Sequence, residues 1–305
     1  MFSQILSKIS IILLLLLIGG LARQRALLTE EISNGLSRLV IVVTLPFLYF
    51  YTLATQCSRE LLFGLWMLPV SAVCLVLVSY LFGRVVSFFL HLEPASRNTF
   101  TYLTAFTNCG FLAIPIAFAL FNQKGVLMVV IFNVGYSILL WTLGVWTLSQ
   151  TTKTGVHPLG HLLNTGTIGL VSGLLIGVFA LKLPAFFLEA SHILGQATIP
   201  LALLVVGAIL AGRGLRKRAS YRTIFSLVIC RLVVMPALAL MVTALFTNLP
   251  YLVRAIIVLQ AAMPSASTTP LFTQRFGGDH NLAASGVFFT TLLSIVTVPL
   301  FLSLV

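Results

Sequence analysis

Two stretches carry the residue types that could do chemistry. They are Thr107-Asn-Cys-Gly-Phe-Leu-Ala-Ile-Pro115 and Gln260-Ala-Ala-Met-Pro-Ser-Ala-Ser-Thr-Thr-Pro270. The chemistry they offer is recognition, not bond-making. Asn108, seven residues before Pro115, brings amide donors and an acceptor without charge. Gln260 lies four residues, one helical turn, before Pro264 and supplies the second amide. Ser265, Ser267, Thr268 and Thr269 add hydroxyls, which in hydrocarbon also bond back to their own helix carbonyls. Thr107 and Cys109 are weaker candidates. Asn108 has the alternative of capping or helix–helix bonding, and Asn133 either faces the first stretch or bonds another helix.

Both stretches are apolar enough for lipid, yet they hold helix breakers. Pro115 lacks an amide proton and clashes with the preceding turn, and Gly110 lets the backbone turn sharply or approach a neighbour. Irregular backbone at membrane depth is tolerated only when buried in protein or lining a wet cavity. A broken helix leaves free amides at a half-helix N-terminus, and these favour an anion. Proline kinks without function are the competing reading. Breaks at matching places in two halves point instead to a transport site. The candidate binding set is Asn108, Cys109, Gly110, Pro115 and Asn133 with Gln260, Pro264, Ser265, Ser267 and Thr268.

The elements that must hold these residues are membrane spans. The 305 residues are 59% hydrophobic and only 8% charged, with mean hydropathy +1.10, and long apolar runs recur throughout without alternating. That excludes a soluble fold and an outer-membrane barrel, and predicts an all-α polytopic membrane protein. Ten spans are expected, at 4–22, 36–55, 62–90, 98–121, 125–148, 163–181, 193–211, 222–246, 251–275 and 281–303. The first reads as an uncleaved helix and not a signal peptide. The third is long enough to hold a short break near Pro69, and Pro46 and Pro200 are expected to kink spans two and seven. Twelve Lys and Arg fall on one side and five on the other, with Arg231 inside span eight. The positive-inside tendency then puts both termini outside. The cluster GRGLRKRASYR reads as topology and lipid headgroup contact, with a regulatory site as the lesser alternative. Nothing in the basic residues suggests nucleic acid.

Five spans on each side of residues 150–160 give the two halves, 1–152 and 153–305, opposite orientations, an inverted repeat. A shift of 155 residues lays Pro115 on Pro270 and Phe121 on Phe276. All six acids lie in or beside loops, which argues against cation antiport and against a carboxylate ring. Asp279 reads as a helix-start residue, or as a group that titrates during transport. Arg231 reads as a snorkelling side chain, or as a counter-charge for an anionic substrate. The five His and four Cys form no metal set, no cofactor motif appears, and Ser265 has no His or Asp partner at depth, so an enzyme is not expected.

The chain resembles the auxin efflux carrier family, including its bacterial permeases and malonate-type carriers, over essentially its whole length. The matching residues are Leu45-Pro46, Asn108-Cys-Gly-Phe-Leu-Ala-Ile-Pro115, Ala262-Met-Pro264-Ser-Ala and Gly286-Val-Phe. The resemblance implies ten transmembrane helices as two inverted five-helix repeats, with broken helices 4 and 9 crossing beside the substrate. Such a fold is similar to that of bile-acid/sodium symporters and sodium/proton antiporters. It implies a scaffold domain (helices 1, 2, 6, 7) and a crossover transport domain (helices 3–5, 8–10), with the first-crossover Asn falling on Asn108. It also implies an elevator-like carrier of a small organic anion, often a homodimer; with the charge-based orientation this places the chain in a bacterial inner membrane with both termini periplasmic. Plant members have a long loop between halves where this chain has a short one, and here no glutamine follows Pro264. The alternatives are a sodium-coupled organic-anion symporter, and a channel or non-transporting scaffold. Substrate identity, direction and ion coupling stay open at this point.

Overall fold

Prolines punctuate this chain, and they do so mostly by starting helices. The computed structural model describes residues 2–151, 163–212, 219–246 and 248–305, with side chains from residue 10 onward. The half-boundary near 150–160, Lys153, His157, His161 and most of the basic cluster lie outside the described residues. The helices are α1 (Phe2–Gln24), α2 (Glu30–Leu39), α3 (Leu45–Gln56), α4 (Arg59–Gly64), α5 (Met67–Phe89), α6 (Pro94–Ala105), α7 (Ala113–Leu139), α8 (Val145–Ser149), α9 (Thr165–Val178), α10 (Ala185–Gln196), α11 (Thr198–Ala211), α12 (Tyr221–Ile229), α13 (Met235–Leu245), α14 (Tyr251–Ala262), α15 (Thr269–Phe276) and α16 (His280–Leu302).

Pro69, Pro94, Pro115, Pro200 and Pro270 all fall within the first three residues of a helix. There the missing N–H would have had no intrahelical partner, so proline costs nothing. The break expected near Pro69 therefore comes just before it, at Leu65–Trp66, and the one expected near Pro200 comes at Ala197. Pro46 and Pro236 instead follow π-helical turns, Val40–Thr44 and Cys230–Val234, which join α2 to α3 and α12 to α13 without a gap. The wider turn accommodates a ring that would clash in a regular helix.

Among the described residues, six helical stretches are long and apolar enough to cross a membrane: Glu30–Gln56, Met67–Phe89, Ala113–Ser149, Ala185–Ala211, Tyr221–Leu245 and His280–Leu302. Ala113–Ser149 bends back at Asn122, whose φ of 55° and ψ of −150° are not helical. Ser10–Gln24, Thr165–Val178 and Tyr251–Ala262 are shorter apolar helices. The chain is an all-α, multi-pass membrane bundle. Its surface is inverted relative to a soluble protein: Leu17, Leu81, Phe88, Met241 and Val296 are exposed, while Asn133, Arg231 and Gln260 are fully buried.

The fold separates into two compact units. One comprises residues 1–69, 110–134 and 163–212, the other 70–109, 135–162 and 213–305. In the first unit, glycine brings helix backbones together. Gly169, Gly173 and Gly177 recur every fourth residue on α9 and face the carbonyls of Pro46, Phe50 and Leu53 on α3; a Cβ on Gly173 would lie 2.7 Å from the Phe50 oxygen. Gly19 of α1 faces Leu204 of α11, and Gly207 of α11 faces Leu16 of α1 in the same way. Lipid tails are as apolar as leucine, so helices in a bilayer gain by such close approach and not by hiding apolar surface.

Gly173→Leu should therefore sharply reduce the yield of monodisperse protein in detergent, because overpacking of this kind costs about 1–3 kcal/mol. Gly35, on exposed α2 with nothing within 4 Å of its would-be Cβ, is the control. Gly35→Ala should hold or slightly raise the melting temperature. Equal tolerance of both changes would show that the α9–α3 contact is looser than described.

Candidate functional site

The two helices that end inside the second unit, α6 and α14, end for different local reasons. Pro264 disfavours helix at the residue before it, and Met263 sits at φ −62°, ψ 144°. At the other break Phe106 is extended at φ −101°, ψ 118°. Residues 106–112 and 263–268 are therefore non-helical, and all are buried but Thr268, which is half-buried. Buried backbone outside a helix needs partners. The two segments find them in each other.

Thr107 and Ser265 form an antiparallel bridge, the only β-type pairing among the described residues. Asn108 N donates to the Pro264 carbonyl at 2.8 Å, and Ala266 N donates to the Phe106 carbonyl at 3.0 Å. This leaves Thr107 and Ser265 as the non-hydrogen-bonded pair, whose own peptide groups point outward. Outside partners meet them: Tyr136 OH donates to the Thr107 carbonyl at 2.8 Å, and Ser265 N donates to Thr290 Oγ1 at 3.3 Å. Ser265 Oγ donates to the Leu103 carbonyl at 2.7 Å, closing one orphan acceptor at the end of α6.

Four further acceptors go to Arg231. Its side chain is fully buried, and its partners are all main-chain carbonyls: Nε donates to Met263 at 2.9 Å, Nη1 to Thr104 at 3.0 Å, and Nη2 to Ala261 at 2.6 Å and Gln260 at 3.4 Å. The snorkelling expectation for Arg231 does not hold, since the side chain is fully buried and engages carbonyls of the protein. One guanidinium caps the C-terminal ends of two half-helices at once. Each such end carries roughly half a negative charge, so one cation balances the pair.

Asn108 and Cys109 lie buried at the crossing, with Pro264 and Ser265 opposite. Ser267 and Thr268 form the turn that leads into α15. Thr268 makes no side-chain cap, and the first turn of α15 holds no acidic residue. Gln260 is fully buried, and neither its Nε2 nor its Oε1 has a hydrogen-bond partner among the described residues. Gly110, Pro115 and Asn133 belong to the first unit. There Asn133 Nδ2 donates to Tyr49 OH at 3.1 Å, which matches the helix–helix alternative for that residue. Gly110 is not in the left-handed region, and a Cβ would make ordinary contact with Leu45 and Tyr49, so its backbone does not demand glycine. Pro115, third in α7, initiates that helix and does not kink one. Asp279 caps α16 by accepting from Leu282 N, and it also accepts from Ser96 Oγ at 2.7 Å.

Three participants were missed in the sequence: Tyr136, Thr290 and the capping role of Arg231. Tyr136 lies one turn beyond Asn133, the only signal that could have drawn attention to it. The residues that Thr290 and Arg231 serve are too distant in the chain for spacing to reveal.

A family profile described as "Membrane transport protein" matches residues 4–302. An uncharacterized transporter of Methanocaldococcus jannaschii is 26% identical over 303 residues, covering 95% of each chain. An uncharacterized transporter of Methanothermobacter thermautotrophicus is 28% identical over 306 residues, covering 95% of this chain and 94% of its own.

Replacing Arg231 with Met keeps the volume but strips four buried carbonyls of their donor. An unsatisfied buried polar group costs about 1–3 kcal/mol, so Arg231→Met should be among the most destabilising single changes in the second unit. Thermal unfolding in detergent measures it. A melting temperature within a degree or two of wild type would show that the carbonyls find other partners.

Proposed function

Because the chain belongs to the membrane transport protein family, of the auxin-efflux-carrier type, we propose that it is a secondary carrier of a small organic anion, a mono- or dicarboxylate, working as an efflux carrier or uniporter. It is a polytopic membrane transporter and not an enzyme. The observation that carries the proposal is the charge arrangement around the crossing. The C-terminal ends of α6 and α14 are already neutralised by Arg231, whereas the N-terminal end of α15 has neither a side-chain cap nor an acid. The uncompensated end is the positive one, and it suits a carboxylate.

In this reading Asn108 and Gln260 orient the substrate. Gln260 in particular brings a buried donor and acceptor that no group among the described residues uses, and a buried polar group of that kind calls for a ligand or water. Cys109, Pro264, Ser265, Ser267 and Thr268 shape the surround. Among the described contacts of the crossing none involves an acid: Glu30 pairs with Arg23 and Asp279 caps α16. An inside-negative potential then favours outward movement of the anion, by about 2.3 kcal/mol per charge per 100 mV.

The finer architecture proposed is ten spans in two inverted repeats, with helices 1, 2, 6 and 7 as scaffold and helices 3–5 and 8–10 as the moving domain. The glycine contacts support it. In that numbering α1 against α11 is helix 1 on helix 7, and α9 against α3 is helix 6 on helix 2, pairs that the repeat would exchange. A homodimer in a bacterial inner membrane, with both termini periplasmic, completes the proposal.

In reconstituted vesicles the protein should give saturable flux of at least one small carboxylate. Asn108→Ala and Gln260→Ala should each lower it about tenfold, the effect of roughly 1.4 kcal/mol, while the folded protein elutes normally. Unchanged flux in both variants would move the site elsewhere; a steep, non-saturating flux would mark a channel. A reporter fused to the C-terminus should give a periplasmic signal, and a cytoplasmic one would reverse the charge-based orientation.

A further inference from the structure

The partners of Arg231 have the character of a cation site. Four carbonyl oxygens, from Thr104, Gln260, Ala261 and Met263, converge on one charged group within 2.6–3.4 Å. Three of the four come from one half-helix end and the fourth from another. Carbonyl oxygens at the unwound ends of half-helices are the groups that hold a monovalent cation in membrane carriers. Here the position is filled from within the chain, and no carboxylate pairs with Arg231 among the described residues.

We propose that the carbonyl cluster is a cation-binding site whose permanent occupant is the Arg231 guanidinium, so that the carrier needs no soluble coupling cation there. The inference rests on the transport reading for its consequence, and on the hydrogen-bond geometry for its site. Guanidinium suits the task. It is planar, always charged, more weakly hydrated than ammonium, and it spreads its donors over several acceptors at once. Sodium would serve the same oxygens, but would enter and leave with each cycle and tie anion movement to its gradient. A tethered cation holds α6 and α14 together in every state and contributes nothing to the driving force. The π-helical turn Cys230–Val234, which interrupts the helical register at Arg231, fits a side chain whose direction must be set independently of the rest of the span.

The test uses purified full-length protein in detergent and in vesicles. Wild type should melt at the same temperature in sodium, potassium or choline chloride. Exchange of sodium for choline should change its carboxylate flux less than about twofold, because a coupled ion characteristically alters affinity 5- to 150-fold. Arg231→Ala empties the site. Its melting temperature should be lowered, and low-millimolar guanidinium should restore it by about 3 °C or more relative to choline, a ligand-linked gain. Arg231→Gln, which retains a short donor but no charge, answers the same question if the alanine variant does not fold. The proposal is overturned if wild-type stability or flux depends on sodium. It is equally overturned if guanidinium and sodium stabilise neither variant more than choline does. Absence of carboxylate flux in wild type would defeat the proposed substrate class alone, since the melting measurements read the cation site without transport.

Discussion

Everything in the second unit depends on one constraint: a peptide group inside hydrocarbon must find a partner within the protein. Residues 106–112 and 263–268 leave the helix, and so lose the partners that a helix supplies. The antiparallel contact at Thr107 and Ser265 restores some of them, and Tyr136, Thr290 and Ser265 Oγ restore others. Arg231 takes four more carbonyls. Its cost is the burial of a full charge, which would be prohibitive in isolation. Here that charge meets two helix ends of opposite sign, so the capping and the charge balance are the same interaction.

The same constraint explains why the interior is polar and the exterior is not. Asn133, Thr107, Gln260, Thr290 and Arg231 are buried where their groups can be satisfied by protein or by a bound molecule, and the lipid-facing surface is left to Leu, Phe and Val. The absence of acids from the described contacts of the crossing then gives the site its sign. Helix ends and one arginine set the potential, without carboxylates to reverse it.

Much of this was legible in the residues. The apolar runs gave the helical membrane class, and the two proline-bearing stretches marked where helices stop. The prolines were easy to locate but their action was misread: Pro115 and Pro270 begin helices, since a ring in the first turn displaces no hydrogen bond. Gly110 was credited with a conformational demand that its backbone does not make. For Asn133 the sequence leaves two directions open, toward the break or toward another helix, because depth says nothing about direction; its amide donates to Tyr49. Arg231 was the largest miss. Local spacing could show that a charge lay within a span. It could not show that carbonyls 29 to 127 positions away would gather around it.

The pairing of the two interrupted segments also bears on how the chain is made. Leu103 and Ser265, partners in the finished protein, are 162 positions apart. At about 5–20 residues per second, a ribosome needs on the order of ten seconds to travel from one to the other. Through that interval the early segment has no counterpart. Until then its peptide groups need another partner, in water or within the insertion machinery.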